Sequence, residues 1–155
     1  GIAAHFCGSW FAPIIGRFLD RRGVRQGLLL ESVSVAAVFL YAAWAVHGVT
    51  SGALSGYAAM AAAFLAYILI FMTDHFNAVH TMLMRSLSES PADVMENLSF
   101  GLSIDHILAV TVSGLLGAVW KLSGPQWVFV LGAAVCAVDL AVALWLKRTE
   151  TAPAK

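Results

Sequence analysis

Apolar residues in this chain fall into five long runs separated by short polar breaks: 2–19, 27–46, about 56–84, about 98–120, and 126–146. Most are close to the roughly 20 residues a helix needs to cross about 30 Å of hydrocarbon. None shows the apolar–polar alternation of a membrane barrel strand. In lipid, a helix is then the remaining way to satisfy every backbone N–H and C=O. The pattern therefore predicts an all-α membrane protein with five transmembrane helices. The third run is long, and its second half turns polar. Pro13 predicts a kink in the first helix. Ser90-Pro91-Ala92-Asp93 has the order of an N-cap, a proline at the first helical position and a carboxylate three residues on, so a helix is expected to start at Ser90. Gly52 with Gly56, and Gly114 with Gly117, offer small surfaces for close helix approach.

Composition supports a membrane class. Of 155 residues, 60% are hydrophobic and 12% charged, about half the charged share of a soluble domain. Mean hydropathy is +0.82. Net charge is zero, so only the placement of charge is informative. Cys7 and Cys136 lie in apolar runs and read as small buried hydrophobes, with neither a disulfide framework nor metal-ligand spacing. The chain opens with Gly inside an apolar run and no basic region precedes it, which does not fit a signal peptide; an N-terminal part of a longer protein is expected before it.

Charge is concentrated in "GRFLDRRGVRQ", Gly16–Gln26, which holds Arg17, Asp20, Arg21, Arg22 and Arg25. Placing this loop, the loop 85–97 and the tail on one side gathers eight of the nine basic residues there and leaves Lys121 opposite. By the positive-inside rule that side is the cytoplasm. Trp44, Trp120 and Trp127 then fall near the outer interface and Trp145 near the inner one. The polar tail from Thr149, with Pro153, is expected to be disordered. Within the first loop, Gly16 allows a neighbour close to the backbone and Gly23 permits a tight reversal with positive φ. Asp20 is expected near the N-terminal end of the following helix, where the dipole favours a carboxylate.

The spacing Gly16-x-x-x-Asp20-Arg21-x-Gly23-x-Arg25 resembles the short helix-connecting signature of the major facilitator superfamily of secondary transporters. That pattern is Gly, three residues, Asp, a basic residue, any residue, Gly, then basic residues. Val24 and Gln26 stand where basic residues are common. The signature lies between the family's second and third helices, with a more degenerate copy between the eighth and ninth, and the departures suit the degenerate copy. Together with the polar, Pro-containing tail after the last span, this implies that the five spans resemble helices eight to twelve of a twelve-helix bundle. The resemblance implies a conformational latch at Asp20, Arg21 and Arg25. It also implies missing N-terminal helices of the same transporter as partners, and a small-molecule solute as cargo. The expected location is the bacterial cytoplasmic (inner) membrane, multi-pass, with the C-terminus inside.

Polar residues also occur where lipid is expected. Asp74-His75 lies about 15 Å up the third helix from its cytoplasmic end, and Asp105-His106 about 14 Å up the fourth. At 100° per residue, Asp74, Asn77, Thr81 and Arg85 fall within about 60° of one another, with His80 flanking. Ser99, Ser103 and His106 share a face of the next helix. Ionisable groups at this depth are expensive and usually face a cavity. Three readings stay open for Asp74, His75, Asn77, His80, Asp105 and His106: proton coupling, direct binding of a polar solute, and structural pairing between helices. Glu31 is expected to reach Arg25 or the interface; Asp139 has no assigned role.

A membrane-embedded metal carrier or metalloenzyme using the Asp and His residues is the competing function. His75 and His80 are five apart, however, which is not the i, i+4 spacing of a helical zinc site, and there is no His-Glu-x-x-His. No phosphate loop, nucleophile elbow or nucleic-acid face is present. The expected function is a portion of a secondary active transporter, not an enzyme. It uses no cofactor and no nucleic acid, and moves its solute by alternating access, by symport or antiport.

Overall fold

The computed structural model describes residues 2–146, with side chains from residue 13 onward. The expectations for the tail, for Lys147, Arg148 and Lys155, and for the side chain of Cys7 lie outside the described residues. The described residues contain no strand. Helix α1 spans Ile2–Thr50, α2 Gly56–Thr73, α3 Asn77–Leu87, α4 Pro91–Ser123 and α5 Gln126–Trp145, with a 3-10 turn at Asp74–Phe76 joining α2 to α3.

Four stretches among the described residues are long and apolar enough to cross a membrane: Pro13–Thr50, Gly56–Leu87, Pro91–Ser123 and Gln126–Trp145. The first of these stretches holds two helical arms that meet at Gly23, and it takes in the described part of the first apolar run together with the second. No loop separates them. The backbone stays helical on both sides of Gly23, which alone inside α1 is non-helical, at φ 78 and ψ 170. That region is close to glycine-only, so the reversal expected at Gly23 is carried by one residue. Pro13 lies inside α1, whereas the break falls at Gly23. Asp20 lies ahead of that break, at the end of the first arm of α1. The expected favourable position at the start of the following helix is therefore not the one observed.

The bend brings the two arms of α1 together. Ile15 and Leu19 of the first arm join Leu28 of the second, Phe76 of the 3-10 turn, Val79 of α3 and Ala143 of α5 in one buried cluster. Gly27 makes this possible. A Cβ there would collide with the Leu19 side chain and come within 3.2 Å of Val79. α1 packs chiefly on α5 and α2, with the Phe39 ring 3.1 Å from where a Cβ of Gly132 would stand. The Tyr41 hydroxyl donates to the Ala62 carbonyl at 3.4 Å, tying α1 to α2. In lipid such contacts stabilise by close packing and hydrogen bonding rather than by escape from water.

Glycine pairing departs from expectation. Gly114 and Gly117 have nothing within 4 Å of a built Cβ, and the same is true of Gly16, Gly52 and Gly56. Gly52 and Gly56 instead serve the turn after α1, with φ of 77 and 54. The close approaches are at Gly27, Gly48 and Gly132, where a bulky apolar side chain from another segment meets the backbone.

The α4 start agrees closely with the sequence. Ser90 Oγ accepts from the Asp93 N–H at 3.2 Å, and Asp93 Oδ2 accepts from the Ser90 N–H at 2.9 Å. This capping box, with Pro91 at the first position, fixes where α4 begins. α4 has no buried residue along its length; it touches only α3 and α5 and stands away from the rest.

Candidate functional site

The divergence of α4 from α3 opens a groove of about 480 Å³, lined by Asn77, His80 and Thr81 of α3 and by Asn97, Gly101 and Asp105 of α4, with Met84, Leu98 and Leu102 as apolar walls. Gly101 has nothing near its absent side chain, which keeps the floor open. At one end the Asn97 amide donates to Ser88 Oγ at 3.0 Å, and Ser88 Oγ donates to the Met84 carbonyl at 2.7 Å. These bonds fix the α3–α4 connection and hence the width of the groove. Thr81 Oγ1 donates to the Asn77 carbonyl at 3.1 Å, which leaves its oxygen able to accept.

His80 is the hinge of the site. Its Nε2 lies 2.8 Å from Glu31 Oε1 of α1. The Glu31 side chain is 16% exposed and that of His80 53%. The second carboxylate oxygen of Glu31 is buried without a hydrogen-bond partner. Asp105 of α4 lines the same groove as His80. The imidazole thus pairs with a carboxylate of α1 and shares the groove with one of α4. Glu31 turns away from the partner expected for it: it binds His80, and Arg25 keeps a buried Nε with no partner.

The sequence-predicted residues divide accordingly. Asn77, His80 and Asp105 come together. Asp74 is exposed at the start of the 3-10 turn and does not line the groove. The groove lining starts at Asn77, beyond the 3-10 turn that holds Asp74. Arg85 instead borders a separate cavity beside Ser88–Pro91. His75 is half-buried, edge-on to Phe71 with ring centroids 6.4 Å apart, and its Nε2 is buried with no hydrogen-bond partner. On α4 the face towards the groove is Asn97, Gly101 and Asp105, not Ser99, Ser103 and His106. His106 is exposed, and Ser103 Oγ donates back to the Ser99 carbonyl at 2.9 Å. The two Asp–His pairs are therefore not the unit of the site. In the first loop, Asp20 and Arg21 are exposed, Gly16 is open on its Cβ side, and Gly23 makes the bend.

Glu31 and Asn97 are the residues that sequence reasoning missed here. Glu31 did carry a signal: an ionisable residue inside an apolar run is costly and implies a partner. Among the described residues, no three His, Cys, Asp or Glu side chains gather as a metal-ligand set. Cys136 is buried and free.

Comparison of the chain with family models, with curated proteins and with solved structures gives no match.

Proposed function

We propose that this chain is part of a secondary active transporter of the major facilitator type, moving a small solute across a membrane by alternating access. The observation that carries the proposal is the Glu31–His80 contact at the edge of an open polar groove, inside stretches long and apolar enough to span a bilayer. A polar groove facing lipid would be costly, so in a membrane it serves a solute, water or further helices. The signature Gly16-x-x-x-Asp20-Arg21-x-Gly23-x-Arg25 supports the family, and the exposed length of α4 supports the presence of further helices around this bundle. The setting is the bacterial cytoplasmic membrane, with the basic first bend on the cytoplasmic side.

The coupling mechanism follows from the contact. With a proton on His80, the imidazolium and the Glu31 carboxylate form an ion pair between α3 and α1. When the proton leaves, a neutral ring faces a largely buried carboxylate whose other oxygen has no partner. The tie between α1 and α3 then weakens, and α3, with the groove it shares with α4, is free to move relative to α1. A proton taken up or released at His80 thereby biases a helix arrangement, which is what coupling needs.

Proteoliposome uptake under an imposed pH gradient tests this. The full-length protein is expected to drive solute flux that follows the gradient, and Glu31→Gln is expected to abolish the gradient dependence. Absence of gradient-driven flux for every member of a broad solute panel would overturn the transporter reading. The metal-carrier reading has no gathered ligand set to rest on among the described residues.

A further inference from the structure

We infer that the α3–α4 groove selects small organic cations, with Asp105 as the anionic anchor; this rests on the reading of the groove as a solute site. Its lining contains one carboxylate, Asp105, and no Lys or Arg. From the packed helix α1, Glu31 reaches His80 at 2.8 Å. Two carboxylates, Glu31 and the groove-lining Asp105, thus accompany one imidazole, which holds at most one positive charge. The balance stays negative whether or not His80 carries its proton. A negative groove with low-dielectric walls concentrates cations and rejects anions.

The walls specify the class further. Asn77, Thr81 and Asn97 offer hydrogen-bonding groups, whereas Met84, Leu98 and Leu102 are apolar. A bare metal ion needs a close shell of oxygen ligands and has no use for apolar walls. A volume of about 480 Å³ lies within the range of small-molecule pockets. An organic ammonium, with a charged end for Asp105 and an apolar body for Leu98 and Leu102, satisfies both surfaces. It also competes with the His80 proton for the same carboxylates. Arrival of one cation and release of one proton leave the charge of the site unchanged.

Charge selectivity is measurable without transport. In detergent-solubilised full-length protein with Cys7 and Cys136 replaced by Ala, Thr81→Cys places a thiol in the groove. Its modification rates by a trimethylammonium methanethiosulfonate and by a sulfonate methanethiosulfonate are each normalised to a free small thiol. The expected result is a normalised preference for the cationic reagent of about tenfold or more. That preference is expected to collapse in Asp105→Asn, and to be absent at Ser99→Cys on the other face of α4. Phenethylammonium is expected to slow the reaction at Thr81→Cys, and 2-phenylethanol to leave it unchanged. If Asp105→Asn does not fold, Glu31→Gln replaces it, with a smaller loss of preference expected. Equal normalised rates, a faster anionic reagent, or no modification by either would overturn the inference. A groove that prefers cations in a protein giving no flux would retain this inference and sink the transporter reading; anion flux independent of Asp105 would do the reverse.

Discussion

Glu31 and His80 stand 49 positions apart in the chain and meet at 2.8 Å, oxygen to nitrogen, joining α1 to α3. The contact is asymmetric. Glu31 is mostly enclosed, with its second oxygen unpartnered, while half of His80 is open. Removing the histidine therefore strands a buried carboxylate, whereas neutralising the glutamate strands only an imidazole that water can reach. His80→Ala is expected to destabilise by about 1–3 kcal/mol, and Glu31→Gln by less. A double-mutant cycle in detergent unfolding should give a coupling of only about 0.5–1 kcal/mol, because the exposed side of the pair is screened. A larger loss for Glu31→Gln than for His80→Ala would contradict this geometry.

Gly23→Ala tests the bend. At φ 78 and ψ 170 a Cβ is strained, and about 1–3 kcal/mol of destabilisation is expected. The strain should separate the arms of α1 and expose Leu19, which is 1% accessible. Faster proteolysis between Arg17 and Arg25 would report the opening; an unchanged cleavage pattern and stability would contradict it.

Two glycine substitutions should differ in sign. Gly27→Ala drives a methyl into Leu19 and Val79, and overpacking of this kind costs about 1–3 kcal/mol. Gly114→Ala meets nothing within 4 Å and gains helix propensity of up to about 1 kcal/mol. Unfolding midpoints of the two variants, measured in one detergent, settle the comparison.

Asp20→Asn is expected to leave stability within about 0.5 kcal/mol, as surface changes do, while lowering transport if the first bend acts as a latch. Gly101→Phe is expected to fold and insert, since its surroundings are open, yet to block uptake by filling the groove. Full activity in either variant counts against the role given to that position.

Ser90→Ala removes one half of the capping box and is expected to cost about 1 kcal/mol, read as faster hydrogen exchange in the first turn of α4. This was the most legible feature of the chain, because every partner lies within three residues.

The same distinction of range separates what the sequence by itself determined from what only the tertiary structure decided. Apolar run lengths predict helices because the backbone must satisfy itself locally in lipid. Ser90 and Asp93 predict a helix start, and Gly23 a break, since each acts on its own turn. Helix faces were less secure: which residues line a groove depends on where the neighbouring helix lies, so Asn77 and His80 line it with α4 while Asp74 does not. The glycines that matter were invisible locally. Gly27 and Gly114 look alike in sequence, and only the side chain that arrives from another segment, Leu19 in one case and none in the other, tells them apart. The choice of His80 over Arg25 as the partner of Glu31 was likewise made by the packing of α1 on α3. A carboxylate in an apolar run must find a partner, but which one is a matter of three-dimensional proximity.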